Sequence, residues 1–255
     1  MRLACLFALC YCFLAVFPLY AQEENGLLLI DTTETVKIVL PTPIRFLELG
    51  VSANSYRGDL SNYEKWTSCY HAAIRFNETK RLNGRVGFSF GFITGDNRFY
   101  KFSVGKPNNY FRAPVYAASY ELQYNFIKTR SFMLYASIGA GLYNYQPKNE
   151  RKEKYADILE TRATDEVYGK VSFMLPLSIG ATYILKNGYG IGVQAVTLNT
   201  QTDYLDNISE WGTRAGNDNV LSIRFSMFAP LLFKKPVLIT APPKTKKRVY
   251  SHEIW

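Results

Sequence analysis

Residues 116–126 alternate between large apolar side chains and small or polar ones. Successive side chains of a β-strand point to opposite faces, so this segment has an aromatic face and a polar face. A soluble sheet would bury the aromatic face. A transmembrane barrel would instead turn that face towards lipid and the polar face into a narrow lumen. The choice between these two arrangements decides most of what the chain can fold into.

The N-terminus has the features of a secretory signal peptide. Arg2 precedes an apolar run from Leu3 to Tyr20, and polar residues follow Ala21. We therefore expect cleavage after Ala21 and export of the mature chain. The only cysteine outside this segment is Cys69, so we expect neither an intrachain disulfide framework nor a cysteine-based metal site.

No segment after Ala21 approaches the run of about 20 apolar residues that a spanning helix needs. A chain without such a run spans a bilayer only as a closed barrel. Seven further segments repeat the alternation of residues 116–126, so we predict eight strands. They cover approximately residues 45–56, 66–76, 85–93, 116–126, 132–145, 172–185, 189–197 and 220–233.

The predicted connections alternate in length. Three are short, at residues 77–84, 127–131 and 186–188. Four are longer, at residues 57–65, 94–113, 146–171 and 198–219. Short periplasmic turns opposite longer external loops are typical of outer-membrane barrels whose N- and C-termini both lie in the periplasm.

Two details of the predicted strands concern local geometry. The dipeptide Asn187-Gly188 in the shortest connection predicts a type I′ hairpin turn. Pro176 falls inside the sixth predicted strand, where a residue without an N–H group cannot donate to the sheet. We therefore expect a β-bulge or a position at the barrel rim for Pro176.

These patterns predict an all-β protein with an eight-stranded antiparallel transmembrane β-barrel of the OmpA/OmpX-like kind. The predicted organisation is a signal peptide at 1–21, a periplasmic leader at 22–43, the barrel at 44–233 and a basic periplasmic tail at 234–255. The expected location is the cell outer membrane, with outer-membrane lipid around the barrel.

Four charged residues fall on the predicted inward face, namely Glu48, Arg75, Glu121 and Arg224. Charges in a narrow lumen of low dielectric constant are costly unless they are paired. An interior of eight strands is just filled by side chains. We therefore expect a network of ion pairs that plugs the lumen, and the alternative is a gate or a conduction path.

His71 lies on the same predicted face and could serve as a general base in a hydrolytic site. The only other histidine is His252, and the one Gly-x-Ser-x-Gly match, residues 87–91, lies inside a predicted strand and not at the strand-to-helix turn of a nucleophile elbow. We therefore expect His71 to be structural, and we expect no enzymatic activity, cofactor or metal. The carboxylates Asp203, Asp206 and Asp218 do not have the spacing of an EF-hand, which predicts a solvated loop.

The predicted tail is basic and contains the candidate docking residues Lys244, Lys246, Lys247 and Arg248. Positive charge at a chain end accelerates and orients association with acidic partners. We expect these residues to dock a periplasmic partner. Contact with anionic lipid and a solvated end are the alternatives, and nucleic acid is not expected for an exported chain.

The segments 56–60, YRGDL, and 202–206, TDYLD, resemble those of PorG-like outer-membrane barrels of Bacteroidota. The resemblance covers roughly residues 46–233. It implies a non-enzymatic accessory role in the type IX secretion system, in which the barrel contacts the periplasmic ring formed by the PorK lipoprotein and PorN. The alternative is a small OmpA/OmpX-type barrel that acts in adhesion or envelope integrity through its external loops. An outer-membrane lipid-modifying enzyme that depends on His71 is a third possibility.

Overall fold

The structure is a computed structural model that describes residues 37–38, 43–97, 105, 107–163, 166, 169–212, 214, 216–233 and 238–239. The predicted signal peptide and the basic residues of the predicted tail lie outside these ranges. Two short strands, β1 (Lys37–Ile38) and β10 (Leu238–Ile239), form an antiparallel pair of their own.

Eight long strands close into an antiparallel barrel, which confirms the predicted fold class. Each strand pairs with its neighbours in sequence, and the last strand pairs with the first from Arg57↔Asn219 to Pro43↔Phe233. The strands are β2 (Pro43–Arg57), β3 (Asn62–Phe76), β4 (Leu82–Asp96), β5 (Tyr110–Lys128), β6 (Phe132–Tyr145), β7 (Val171–Ile184), β8 (Gly190–Thr200) and β9 (Asn219–Phe233).

The polarity of the two faces is that of a transmembrane barrel. On β5 the apolar Tyr116, Tyr120 and Leu122 are exposed on the outside, whereas Glu121 and Gln123 are buried in the lumen. The same alternation runs around the barrel, so that apolar side chains cover its outer wall. In the described part of the chain, no helix is both long and apolar enough to cross a membrane.

The connections define two different ends of the barrel. The turn end has three short turns, at residues 77–81, 129–131 and 185–189. The loop end has the connections at 58–61, 97–109, 146–170 and 201–218. The first of these was expected to be long but is a tight turn, because β2 and β3 stay paired as far as Arg57↔Asn62. Alternation of length therefore holds for the other connections only.

The predictions for Pro176 in β7 and for the turn that follows β7 were both wrong. Gly188 has a positive φ of 90° but Asn187 does not, so the turn is not of type I′, which requires both. Pro176 lies in the middle of β7 and faces the lumen without a bulge. The register with β6 is the same on both sides of Pro176, and only the pairing between Ile138↔Leu177 and Gly141↔Met174 is interrupted.

A charge on the outer wall tests how deeply that wall enters the membrane. Leu122→Arg should lower the free energy of unfolding in lipid vesicles by about 2–4 kcal/mol, because it places a cation in the hydrocarbon layer. Asn144→Arg, also on the outer wall but near the loop end, should cost about 0–1 kcal/mol. Urea titration in vesicles measures both values, and equal costs would contradict the placement of Leu122 deep in the hydrocarbon layer and of Asn144 near its edge.

Candidate functional site

A buried network of ion pairs crosses the lumen, and we call it the charged layer. It consists of Glu48, Arg75, Arg85, Glu121 and Arg224. Its first half is centred on Glu48 of β2. The Arg85 guanidinium donates to both of its carboxylate oxygens, with Nε and Nη2 each 3.1 Å away. Arg75 Nη2 donates to Oε2 at 3.1 Å, and Ser226 Oγ donates to Oε1 at 3.0 Å. The guanidinium of Arg75 also lies over the Tyr135 ring, 4.6 Å from its centroid. Each carboxylate oxygen of Glu48 therefore accepts at least two hydrogen bonds, from guanidinium groups and from a serine hydroxyl.

The second half of the charged layer is centred on Glu121 of β5. Arg85 Nη1 donates to Oε1 at 2.8 Å, and Arg224 Nη1 lies 3.3 Å from the same oxygen. Ser137 Oγ donates to Oε2 at 3.0 Å. Gln194 adds a contact between its Oε1 and Arg224 Nη1 at 3.5 Å. Arg75 Nη1 also donates to Thr182 Oγ1 of β7 at 3.1 Å. Arg85 thus joins the two carboxylates into one network to which all eight barrel strands contribute.

The four residues predicted for this network all lie in it. Glu48 contacts Arg75, and Glu121 contacts Arg224. The sequence reasoning missed Arg85, which bridges both acids. Its signal was available, because Arg85 is two residues before Gly87 and so shares the inward face.

Glycines on the inner face make room for these large side chains. A Cβ atom built on Gly87 would lie 2.5 Å from Arg85 Nη1, and one built on Gly50 would lie 2.7 Å from the His71 ring. Real Cβ contacts are essentially never that short. These glycines of the inner face therefore provide space for the side chains of the charged layer.

His71 belongs to this network rather than to an accessible hydrolytic site. Its Nε2 lies 2.9 Å from Ser226 Oγ and 3.6 Å from Glu48 Oε1, and only 3% of the residue is exposed. In a nucleophile–histidine–acid triad the second ring nitrogen is held by the acid. Here Nδ1 has no hydrogen-bond partner among the described residues. Among the described residues the arrangement therefore lacks the triad order, and the imidazole is buried.

Apolar layers close the lumen on both sides of the charged layer. At the turn end the layer consists of Phe46, Met133, Ile184 and Phe228. A larger apolar cluster fills the other half of the lumen and continues into the loops. Its strand residues include Ile93, Phe111, Val115, Tyr143, Met174, Val196, Leu198 and Val220.

This larger cluster shows that large apolar residues, and not only small or polar ones, line the lumen. The predicted strands were too short at the loop end, so inward residues such as Phe111 were assigned to connections. Leu60, Tyr155, Leu205 and Ile208 from the loops pack onto the same cluster. The lumen therefore has a hydrophobic core that is continuous with the loop end.

We call the described residues of the connections at 97–109, 146–170 and 201–218 the loop cap. Asn207 Nδ2 donates to Asn108 Oδ1 and to Thr161 Oγ1, each at 3.1 Å. Asn108 Nδ2 donates to the carbonyl oxygen of Asp206 at 2.8 Å. Asn207 has a positive φ of 76°, a conformation that asparagine tolerates better than most residues. These contacts tie three separate loops to one another.

Beneath the loop cap, two buried aspartates share one tyrosine hydroxyl. Tyr56 Oη lies 2.6 Å from Asp206 Oδ2 and 2.8 Å from Asp218 Oδ1. A hydroxyl has a single hydrogen, so Tyr56 donates to one carboxylate only. The other contact needs a protonated carboxyl group that donates to the tyrosine oxygen. The geometry therefore retains one carboxyl proton in this trio.

The environment of these aspartates is consistent with a retained proton. Burial, together with the charges of Asp59 and Asp203, raises the pKa of Asp206 to about 8. Burial and the charges of Asp206 and Asp203 also raise the pKa of Asp218. The expected solvated loop was wrong for Asp206 and Asp218, which are almost completely buried. No cluster of three or more His, Cys, Asp or Glu residues suited to a metal occurs in the described ranges.

The candidate docking residues Lys244, Lys246, Lys247 and Arg248 lie outside the described residues, so their docking role stays a prediction.

A scan of protein-family models and a search of curated proteins found no match.

Solved structures with a similar fold include three outer-membrane proteins. Neisserial surface protein A has a TM-score of 0.49 at 9% identity, over 73% of this chain and 96% of its own. Ail, the attachment invasion locus protein of Yersinia pestis, has a TM-score of 0.44 at 10% identity, over 73% of this chain and 97% of its own. The outer membrane enzyme PagL has a TM-score of 0.35 at 13% identity, over 72% of this chain and 99% of its own. At these identities the likeness concerns the fold alone.

Removing one acid tests the charged layer. Glu48→Gln should lower the free energy of unfolding by about 3–5 kcal/mol, because it leaves buried guanidinium groups without their carboxylate. The double variant Glu48→Gln, Arg75→Gln should cost less than the sum of its single variants. Glu78→Gln is the matched control, since the Arg45–Glu78 pair is about half exposed and should contribute about 0–1 kcal/mol. Additive costs would show that Glu48 and Arg75 do not interact.

The retained proton makes the loop cap sensitive to alkaline pH. The pKa of Asp206 is raised from 3.8 to about 8 on folding, so its stabilising protonation is complete below pH 4 and is lost as pH rises through 8. Repulsion among Asp206, Asp218, Asp203 and Asp59 then opposes packing of the cap.

Hydrogen exchange of the Leu205 amide measures this opening, because that amide donates to Asp218 Oδ2 at 2.8 Å. Its protection, corrected for intrinsic exchange, should fall between pH 5 and pH 9. The fall should be shallower in Asp206→Asn, whose side chain does not ionise. The Ile138 amide in the barrel wall is the control, and equal behaviour of both amides would contradict the expectation.

Proposed function

We propose that the chain is an outer-membrane barrel that does not conduct solutes and acts through its two ends. The observation that carries this proposal is the sealed lumen. In the described residues, the ion-pair layer lies between two apolar layers, and the loop cap packs onto the outer one. A filled interior is normal for eight strands. The apolar outer wall and the expected signal peptide support insertion into the outer membrane.

The partner that we propose is the periplasmic ring of a type IX secretion apparatus, formed by PorK and PorN. The resemblance of residues 56–60 and 202–206 to PorG-like barrels supports this choice. The three short turns offer little surface to a protein partner, so the tail is the main contact that this end of the barrel can provide. The basic tail with Lys244, Lys246, Lys247 and Arg248 is therefore the proposed dock, and both termini face the periplasm.

The proposed role is non-enzymatic and needs no cofactor. Burial of His71 in the charged layer supports this part of the proposal, since the imidazole has no access to a lipid or to a soluble substrate.

A second candidate is adhesion or envelope integrity mediated by the loop end, as in small OmpA/OmpX-type barrels. The ordered packing of the loop cap favours it. Side chains of the cap are tied by hydrogen bonds and pack on the lumen core, which gives the loop end a defined surface. A preorganised surface loses less conformational entropy when a ligand binds.

Charge reversal in the tail separates the two candidates. Replacing Lys244, Lys246, Lys247 and Arg248 by Glu should lower the amounts of PorK and PorN that co-purify from solubilised envelopes, and should lower cargo secretion. The effect should depend on salt, because exposed charges are screened. The control reverses four exposed cations of the loop end, Arg151, Lys152, Lys154 and Lys170, and should leave co-purification unchanged.

Wild-type co-purification and secretion by the tail variant would reject the docking role. Loss of adhesion in the loop-end variant alone would favour the second candidate.

A further inference from the structure

The charges at the turn end are mostly positive. Six cations lie in the three turns or at the strand ends beside them, and Glu78 is the only carboxylate there among the described residues. The cations are Arg45, Lys80, Arg81, Lys128, Arg130 and Lys186. All but Lys186 lie on the sector formed by β2 to β6, around the turns at 77–81 and 129–131. The charge is therefore concentrated on one side of the barrel.

Two of these cations lie against the lipid-facing wall and not over the lumen. The guanidinium carbon of Arg45 lies 5.6 Å from the centroid of the Phe76 ring. Arg81 Nη1 lies 3.5 Å from the hydroxyl of Tyr124, which is exposed on the outer wall. Aromatic residues at the edge of a transmembrane barrel mark the level of the lipid headgroups. The cations beside them are therefore at headgroup level.

Carboxylates at the turn end do not neutralise most of this charge. Glu78 pairs with Arg45 at 3.0 Å. Lys128 Nζ donates to the carbonyl oxygens of Asn77 at 3.2 Å and Thr79 at 2.6 Å, which are neutral acceptors. No ion pair to Lys80, Arg81, Lys128 or Arg130 is found within the described residues. Four cations are thus left to attract an anion from outside the barrel.

We propose that Lys80, Arg81, Lys128 and Arg130, which we call the basic patch, bind the phosphate groups of anionic phospholipids in the leaflet around the turn end. Clusters of Lys and Arg at a bilayer surface attract anionic lipids. The aromatic wall favours lipid over an acidic protein. Strands β3, β4 and β5 carry nine of the thirteen exposed large aromatic residues, so the patch stands at the edge of the most aromatic sector.

The test uses the full chain in nanodiscs of phosphatidylcholine with one fifth phosphatidylglycerol. The readout is the ratio of the two lipids that native mass spectrometry finds retained on the barrel, relative to the bulk ratio. The wild type should be enriched in phosphatidylglycerol. The triple variant Lys80→Gln, Arg81→Gln, Arg130→Gln should lose this enrichment by at least about fivefold, the effect of one interfacial cation.

Two matched variants serve as controls. The charge-preserving variant Lys80→Arg, Arg81→Lys, Arg130→Lys should keep the enrichment, and heat-modifiability on gels confirms that each variant is folded. The loop-end variant Arg151→Gln, Lys152→Gln, Lys154→Gln removes the same number of positive charges and should keep most of the phosphatidylglycerol enrichment.

Unchanged enrichment in the turn-end variant, or equal loss in the loop-end variant, would overturn the proposal. A wild type without phosphatidylglycerol enrichment would overturn it as well. Loss of an acidic protein partner from the turn-end variant would then identify the basic patch as a protein-binding surface. The proposal rests on insertion into a bilayer and not on the secretion partner. Co-purification of PorK and PorN with the turn-end variant reports separately on the proposed function.

Discussion

The bridge that Arg85 forms between Glu48 and Glu121 connects parts of the barrel that do not touch through the sheet. Glu48 is on β2, Arg85 on β4 and Glu121 on β5, and Arg75 and Arg224 extend the network to β3 and β9. Buried charges are tolerable only when each has its partners. A register slip by one residue would turn such a strand's charges towards lipid. The network therefore ties the register of each strand to that of the others.

Filling the lumen in layers has a consequence for what the barrel does. The charged layer is flanked by apolar side chains on both sides, and the outer apolar layer is shared with the loops. The loop cap is thus part of the hydrophobic core and not an appendage of it. A barrel built in this way is suited to anchoring and to contacts at its ends, which is the basis of the proposed function.

The two ends solve the placement of charge differently. At the loop end, acidic residues are buried beneath the cap, and a shared proton replaces a counter-ion in the Asp206–Tyr56–Asp218 trio. At the turn end, cations remain at the rim beside exposed aromatic rings, where lipid phosphate supplies the opposite charge in our proposal. The difference follows from the length of the connections, because short turns cannot fold back over the lumen to bury their charges.

The sequence by itself determined the class of fold and the direction of most side chains. A period of two assigns each strand residue to the wall or to the lumen, and this rule placed Glu48, Arg75, Glu121 and Arg224 inside. The same rule reaches Arg85. Only the tertiary structure decided which charges meet, because the stagger between strands sets the height of each side chain in the lumen and leaves no local signal. It also decided the proton sharing at Tyr56, since Asp206 and Asp218 lie 150 and 162 residues away along the chain.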